Sequence, residues 1–216
     1  LTGERGEPLA DPNQISRYSD GLTLLLGAES ECGRALASHR ADVADRLLVQ
    51  WREVFGDRLH IEVACHLTPH SGATLNGRIS PGVADLSLSG ASRLYRWAVD
   101  RGVSTVLTNA VRHERREQAP VVDVLDAIRR LVPLNERHLD RGNAEGYLKS
   151  SMQMHRIAEQ VVSAAGQSSQ QVSALMNRTV SLAQECALDP VADMGIGSVR
   201  VPELDVLMPN LLEGVE

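Results

Sequence analysis

LHIEVAC (residues 59–65) alternates apolar with polar positions, is rich in β-branched residues, and reads as a β-strand. Upstream, residues 41–55 place Val43, Leu47, Leu48, Trp51 and Phe55 on one helical stripe, with Gly56 as the stop. Before that, Ser30 caps a short helix through Ala37, and GLTLLLG (21–27) is a glycine-bounded apolar run that suits a buried strand. The first 20 residues, rich in Gly, Pro, Asp and Asn, are expected to be a loop.

Downstream, HLTPHSGATLNGRISPG (66–82) is expected to be a long loop. A helix follows from about Val83 to Asp100, with Leu86, Leu94, Trp97 and Ala98 as core candidates and Gly102 behind it. VSTVLTN (103–109) is a third strand. Pro120 then opens a helix to Leu131 with Val121, Val124, Leu125 and Ile128 at helical spacing. Strand–helix alternation of this kind gives parallel strands joined by right-handed crossovers, with helices covering the sheet. After Pro133 a charged, aperiodic stretch leads to two helices, roughly Ser151–Ala165 and Ser169–Ala187, joined by GQSSQQ as a helical hairpin. The expected organisation is an α/β segment over 1–134, a helical extension over 135–188 and a tail or linker over 189–216.

Composition limits the chemistry. A net charge of −6 argues against a chain that coats nucleic acid by bulk charge, but leaves room for a local basic site. Aromatic residues at 3% disfavour a base-stacking platform. No apolar run approaches the ~18 residues of a membrane span, and no signal peptide is expected. Three distant cysteines exclude a disulfide scaffold and fit a reducing cytoplasm. Of 22 basic residues only Lys149 is lysine, as expected of a high-GC genome. A chain opening on Leu1 is expected to be a fragment or processed product.

In parallel α/β sheets chemistry sits beyond the carboxyl ends of the strands, here Gly27–Glu31, Cys65–His66 and Thr108–His113. His66, His70 and His113, with Cys65 and Asp85, form the candidate metal cluster, weighed against plain solvent-exposed loop histidines. His39, His60, His138 and His155 are expected at the surface. The RHERRE run (112–117) is expected to be a solvated helix start, and Arg129 and Arg130 to lie beside the apolar face of their helix. Cys32 and Cys186 read as core or boundary residues. Gly195-Ile196-Gly197 lacks the third glycine and preceding strand of a dinucleotide loop.

The order GLTLLLG, IEVACH, VLTNAVRH, PVVDVLDAIRRLV and GYLKSSMQM (146–154) resembles the second half of the polymerase-and-histidinol-phosphatase (PHP) domain of bacterial DNA polymerase III alpha subunits. TNAVR, RRLVP and DPVADMGIG look closest to the actinobacterial error-prone branch, and the similarity spans about Gly21 to Pro202. The resemblance implies part of a PHP-type β/α barrel, whose metal-binding first strands and polymerase palm lie outside this chain. It also implies that family metal ligands are replaced. The cysteine expected after the first strand falls at Ala28, and the aspartate and histidine expected after VLTN fall at Ala110 and Arg112. A methyl group cannot coordinate, and a guanidinium repels metal ions. His66 matches a histidine often found after its strand and is the possible residual site residue. The link Leu67–Asp85 is longer than the family usually has.

These implications favour a non-catalytic, metal-free PHP segment of an error-prone C-family polymerase, with Arg112 paired to remaining carboxylates. The parent would use magnesium, and the segment's partners would be its palm, thumb and primer–template DNA. The alternatives are a metal-dependent phosphoesterase or 3′–5′ exonuclease, which needs a fuller ligand set, and a free-standing scaffold.

Overall fold

The computed structural model of the chain describes residues 12–68, 74–75, 78–79, 84–135, 139 and 141–197. Three strands, β1 (Leu24–Leu26), β2 (Leu59–Ala64) and a later one at Ser104–Thr108, form a parallel sheet with β2 in the middle. Between them, β3 (Thr74–Leu75) and β4 (Arg78–Ile79) make a minimal antiparallel pair, so the Ser104–Thr108 strand is β5. β1 pairs with β2 from Leu24 opposite Leu59, and β2 with β5 from His60 opposite Ser104. The sheet of the described residues is not a closed barrel.

Among the described residues six helices of seven or more residues accompany it, α2 (Glu31–Ala37), α3 (Ala41–Phe55), α4 (Leu88–Asp100), α5 (Ala119–Arg130), α6 (Ser151–Ala164) and α7 (Gln170–Glu185), after a short α1 (Pro12–Arg17). Serines set three of the starts. Ser30, Ser87 and Ser150 accept from the N–H of Gly33, Gly90 and Gln153, and Gln153 reciprocates at Ser150 as a capping box.

β2 is buried on both faces, as the middle strand of a covered parallel sheet must be. Leu59, Ile61, Val63 and Cys65 join Leu94, Tyr95 and Ala98 of α4, Ile157, Val161 and Val162 of α6, and Val172 and Leu175 of α7 in one buried cluster. The β5 edge is closed by α7: the Leu107 N–H donates to Thr179 Oγ1 at 2.8 Å, which occupies a donor that another strand could pair with. Residues 1–182 make one compact unit and 183–216 a second. In the second, Asp189 caps a turn by accepting from the N–H groups of Val191 and Ala192.

The three strands and α2, α3 and α5–α7 stand close to where the sequence placed them. Other expectations are corrected. Part of the expected leading loop, Pro12–Arg17, is helical. Within residues 66–82 the chain forms β3 and β4, and Thr68 bridges to Ser87. α4 begins at Leu88 rather than near Val83, because Ser87 is committed to capping and also donates to Asp85 Oδ1 at 2.6 Å. His60 is not a surface residue: it is 2% exposed, and its Nε2 accepts from Arg178 Nη2 at 3.0 Å.

The largest departure concerns α5. Its buried residues are Ala119, Asp126 and Ala127, while Val121, Val124, Leu125 and Ile128 are exposed, followed by Leu131 and Leu134. The aliphatic stripe with which a surface helix usually meets its core therefore faces outward. Arg129, expected beside the apolar face of its helix, is one turn from Leu125 of that outward stripe and has its side chain 71% exposed, as a snorkelling arginine does.

Candidate functional site

His66 follows β2 directly, and Asn109 to His113 follow β5, so the parallel sheet delivers both segments to its carboxyl end. Residues 141–149 cross this end. Arg112 and His113 donate their N–H groups to the Gly146 carbonyl, and Leu148 donates to the His113 carbonyl. A Cβ at Gly146 would lie 3.4 Å from His66 Cε1 and 3.5 Å from the Ala110 carbonyl oxygen, in ordinary contact with both, so these segments pack closely here without demanding glycine. Ala110 itself has φ +42°, the left-handed conformation that turns the chain out of β5.

A cavity of about 40 Å³ opens between these segments and α5, lined by His66, Arg112, His113, Asp123, Asp126 and Arg141 among others. Arg112 Nη2 donates to Asp126 Oδ1 at 2.9 Å, and Arg141 forms a two-pronged pair with Asp123 at 2.7 and 2.6 Å. Both α5 carboxylates that reach the cavity are thus already bound to guanidinium groups. Each imidazole has one nitrogen engaged. A carbonyl only accepts, so His66 Nε2 must carry the hydrogen it gives to the Asn109 carbonyl at 2.8 Å. By the same argument His113 Nδ1 donates to the Arg115 carbonyl at 2.8 Å.

Behind this cavity lies a polar network in which Asn109, 5% exposed, is the hub. Its Nδ2 donates to the carbonyls of Glu145 and Tyr147 at 2.9 and 2.7 Å, and its Oδ1 accepts from Lys149 at 3.2 Å. The Lys149 side chain, 3% exposed, also contacts the Glu145 carbonyl, lies 3.1 Å from Glu145 Oε2, and sits 4.2 Å from the centre of the Tyr147 ring. Arg116 pairs with the other Glu145 oxygen and covers the same ring at 5.4 Å.

Of the residues singled out from the sequence, His66, Arg112 and His113 meet in this cavity, and Ala110 touches its Gly146 wall. Ala28 and Asp85 line a different, smaller cavity with Gly33 and Gly90. His70 and His138 lie outside the described residues. Cys65 is fully buried, and that burial pushes its thiol up. Among the described residues no group of three or more His, Cys, Asp or Glu side chains is arranged to hold a metal ion. Asn109, Asn143, Glu145 and Lys149 were not singled out for the site. One signal was present for Lys149: it is the single lysine where every other basic residue is arginine.

Two measurements test the role of this end of the sheet. Burial holds the pKa of His66 below its ordinary value of about 6.5, with the Asn109 carbonyl opposing the shift. Above about pH 6.5 folded and unfolded chains both carry neutral His66, so its contribution is intact. As pH falls below that value the unfolded state takes the proton first, and stability declines until the folded pKa is reached. Urea midpoints measured at about pH 7.5 and 5.5 should separate more in the parent chain than in His66→Gln. Equal separation would exclude this histidine as the source.

Arg112→Ala should cost about 1–2 kcal/mol, because among the described residues Asp126, its side chain 11% exposed, then keeps only Arg129 at 3.9 Å. The half-exposed Arg112 makes this less than the loss from breaking a fully buried pair. An unchanged urea midpoint would mean that Arg112 does not hold α5 to the sheet.

No protein-family model matches the chain. The chain is similar to DNA polymerase III subunit alpha of Xylella fastidiosa strain Temecula1, 26% identical over 221 residues that cover 97% of this chain and 15% of that protein. The same subunit of strain 9a5c is 25% identical over 221 residues with the same coverage. That of Caulobacter vibrioides is 31% identical over 111 residues, covering 51% of this chain and 8% of the relative. The chain therefore spans about a seventh of the length of the two Xylella relatives it matches. No described helix is long and apolar enough to cross a membrane.

Proposed function

We propose that the chain is a non-catalytic, metal-free PHP segment of a C-family DNA polymerase III alpha subunit of the error-prone type, acting in the cytoplasm. The observation that carries this reading is the similarity to alpha subunits along 97% of the chain. Two features of the fold support it. The cavity at the carboxyl end of the sheet, about 40 Å³, is far below the ~300 Å³ at which substrate pockets begin, and its carboxylates are bound to arginines. The outward aliphatic face of α5 is the kind of surface that other protein covers, here the palm or thumb of the parent chain.

In this reading the parent enzyme transfers deoxynucleotides to a primer end, and magnesium held by carboxylates outside these residues neutralises charge on the phosphates. The role of this segment is to fix α5 and the sheet end as a rigid buttress for the domains that hold primer–template DNA. The replaced positions Ala28, Ala110 and Arg112 are the sequence side of the same reading.

The test is to read the coding frame on both sides of the segment, express the whole product and assay primer extension with magnesium. The metal content of the 216-residue chain is measured in parallel. Primer extension by the whole product, with no stoichiometric metal in the segment, is the expected result. Stoichiometric metal together with hydrolysis of phosphate esters by the segment would replace the proposal with the phosphoesterase reading. A frame confined to these residues would end the polymerase reading.

A further inference from the structure

A second, larger concavity lies away from the sheet end. A groove of about 470 Å³ runs along α4 between the last turn of α2, the first residue of α3 and the end of α6. Arg93 and Arg96 enter it from α4, three residues and so about 4.5 Å apart along the axis. Arg93 Nη1 donates to the Leu36 carbonyl at 3.3 Å, and Arg96 Nε donates to the Ala165 carbonyl at 2.7 Å. Both guanidinium groups are therefore anchored on the carbonyl ends of helices, α2 and α6 respectively, which fixes their direction.

Both are anchored on neutral carbonyls, which do not cancel their charge. No ion pair involves Arg93 or Arg96 among the described residues. Arg101, in the same groove, shows the contrast: it grips Asp45, with Nη2 to Oδ2 at 2.7 Å, and lies over the Trp97 ring at 5.1 Å. His39 adds an exposed imidazole to the lining, and Asp100 is the one carboxylate there. In a chain of net charge −6 this groove is locally cationic.

We propose that the groove is a binding site for phosphate groups, with Arg93 and Arg96 as its principal donors. Two guanidinium forks and an imidazole offer donors from several directions. A phosphate, with three or more acceptor oxygens pointing in different directions and up to two negative charges, matches these spread donors better than the planar two-oxygen carboxylate. Trp97 is 5% exposed and offers no face for base stacking, so recognition is of the phosphate and not of a base. The phosphate can come from a nucleic-acid strand or from a free phosphate or pyrophosphate ion. The proposal does not depend on the polymerase reading.

The test titrates the 216-residue chain with a fluorescent 12-nucleotide oligothymidylate over a range of salt, and separately with inorganic phosphate and pyrophosphate. Binding to the oligonucleotide identifies a strand as the source, and binding to the ions alone identifies a small phosphate. For a strand, Arg93→Gln/Arg96→Gln should weaken binding and reduce the salt slope by about 1.4, the loss of two single-strand phosphate contacts.

Because those arginines also hold α2 and α6, a second variant leaves them in place. Ala41→Asp puts a carboxylate on the groove at the exposed first residue of α3, where negative charge suits the positive helix end. It should keep the thermal midpoint and weaken binding roughly 3- to 10-fold. Arg129→Gln, outside the groove, should leave binding unchanged. The proposal is overturned if no arm shows binding, or if Ala41→Asp binds as tightly as the parent chain.

Discussion

Asn109→Leu is expected to lower the unfolding free energy by about 2–4 kcal/mol, although the two side chains are similar in size. The asparagine amide is the donor for two backbone carbonyls, Glu145 and Tyr147, and its oxygen receives the Lys149 ammonium. Leucine offers none of these groups. The part-buried Tyr147 carbonyl, left without this partner, costs about 1–3 kcal/mol, the Glu145 carbonyl keeps its Lys149 contact, and the lysine loses part of its shell. The His66 bond is to the backbone carbonyl of residue 109 and survives the change, so the loss reads the side-chain network alone. Asn109→Asp separates the parts: it keeps an acceptor for Lys149 but sets a carboxylate against two carbonyls. Urea midpoints at constant m give the comparison. A loss below about 1 kcal/mol in the leucine variant would mean that the 141–149 segment is held by other contacts.

Gly33→Ala should also destabilise, against the ordinary preference of helices. On helix propensity alone alanine would stabilise α2 by about 1 kcal/mol. Here a Cβ at residue 33 would lie 2.3 Å from the Gly27 carbonyl oxygen and 2.5 Å from that of Ala28. Both obstacles are backbone, so no side chain can rotate away; either α2 or the end of β1 must shift. The expected outcome is a net loss of about 2–4 kcal/mol. A thermal midpoint raised by the substitution would show that α2 does not sit so closely over the turn after β1.

The local pattern of the sequence was enough to place the sheet and most helices. A glycine-bounded apolar run marked β1, runs rich in β-branched residues marked β2 and β5, and periodic stripes marked α3 and α5. What periodicity cannot say is whether a stripe finds a core. The aliphatic face of α5 is as regular as that of α3, yet Asp123 and Asp126 on its other side pair with Arg141 and Arg112, and this fixes the helix with its apolar face outward. His60 was misjudged for a related reason. A histidine in an apolar strand is read as a surface residue until Arg178, 118 residues later, is known to meet it. The site was legible in part. Strand ends brought His66, Arg112 and His113 together, but the Asn109 network joins residues 36 to 40 positions apart, with no motif to announce it.

The lone lysine has a practical corollary for anyone handling this polypeptide. Its ε-amine is the molecule's single side-chain primary amine, and it is enclosed by Glu145, Asn109 and the Tyr147 ring. Succinimide esters and lysine-directed cross-linkers should therefore leave the interior of the native chain untouched. Incorporation of such a reagent at Lys149 becomes a direct report that the segment around residue 149 has opened.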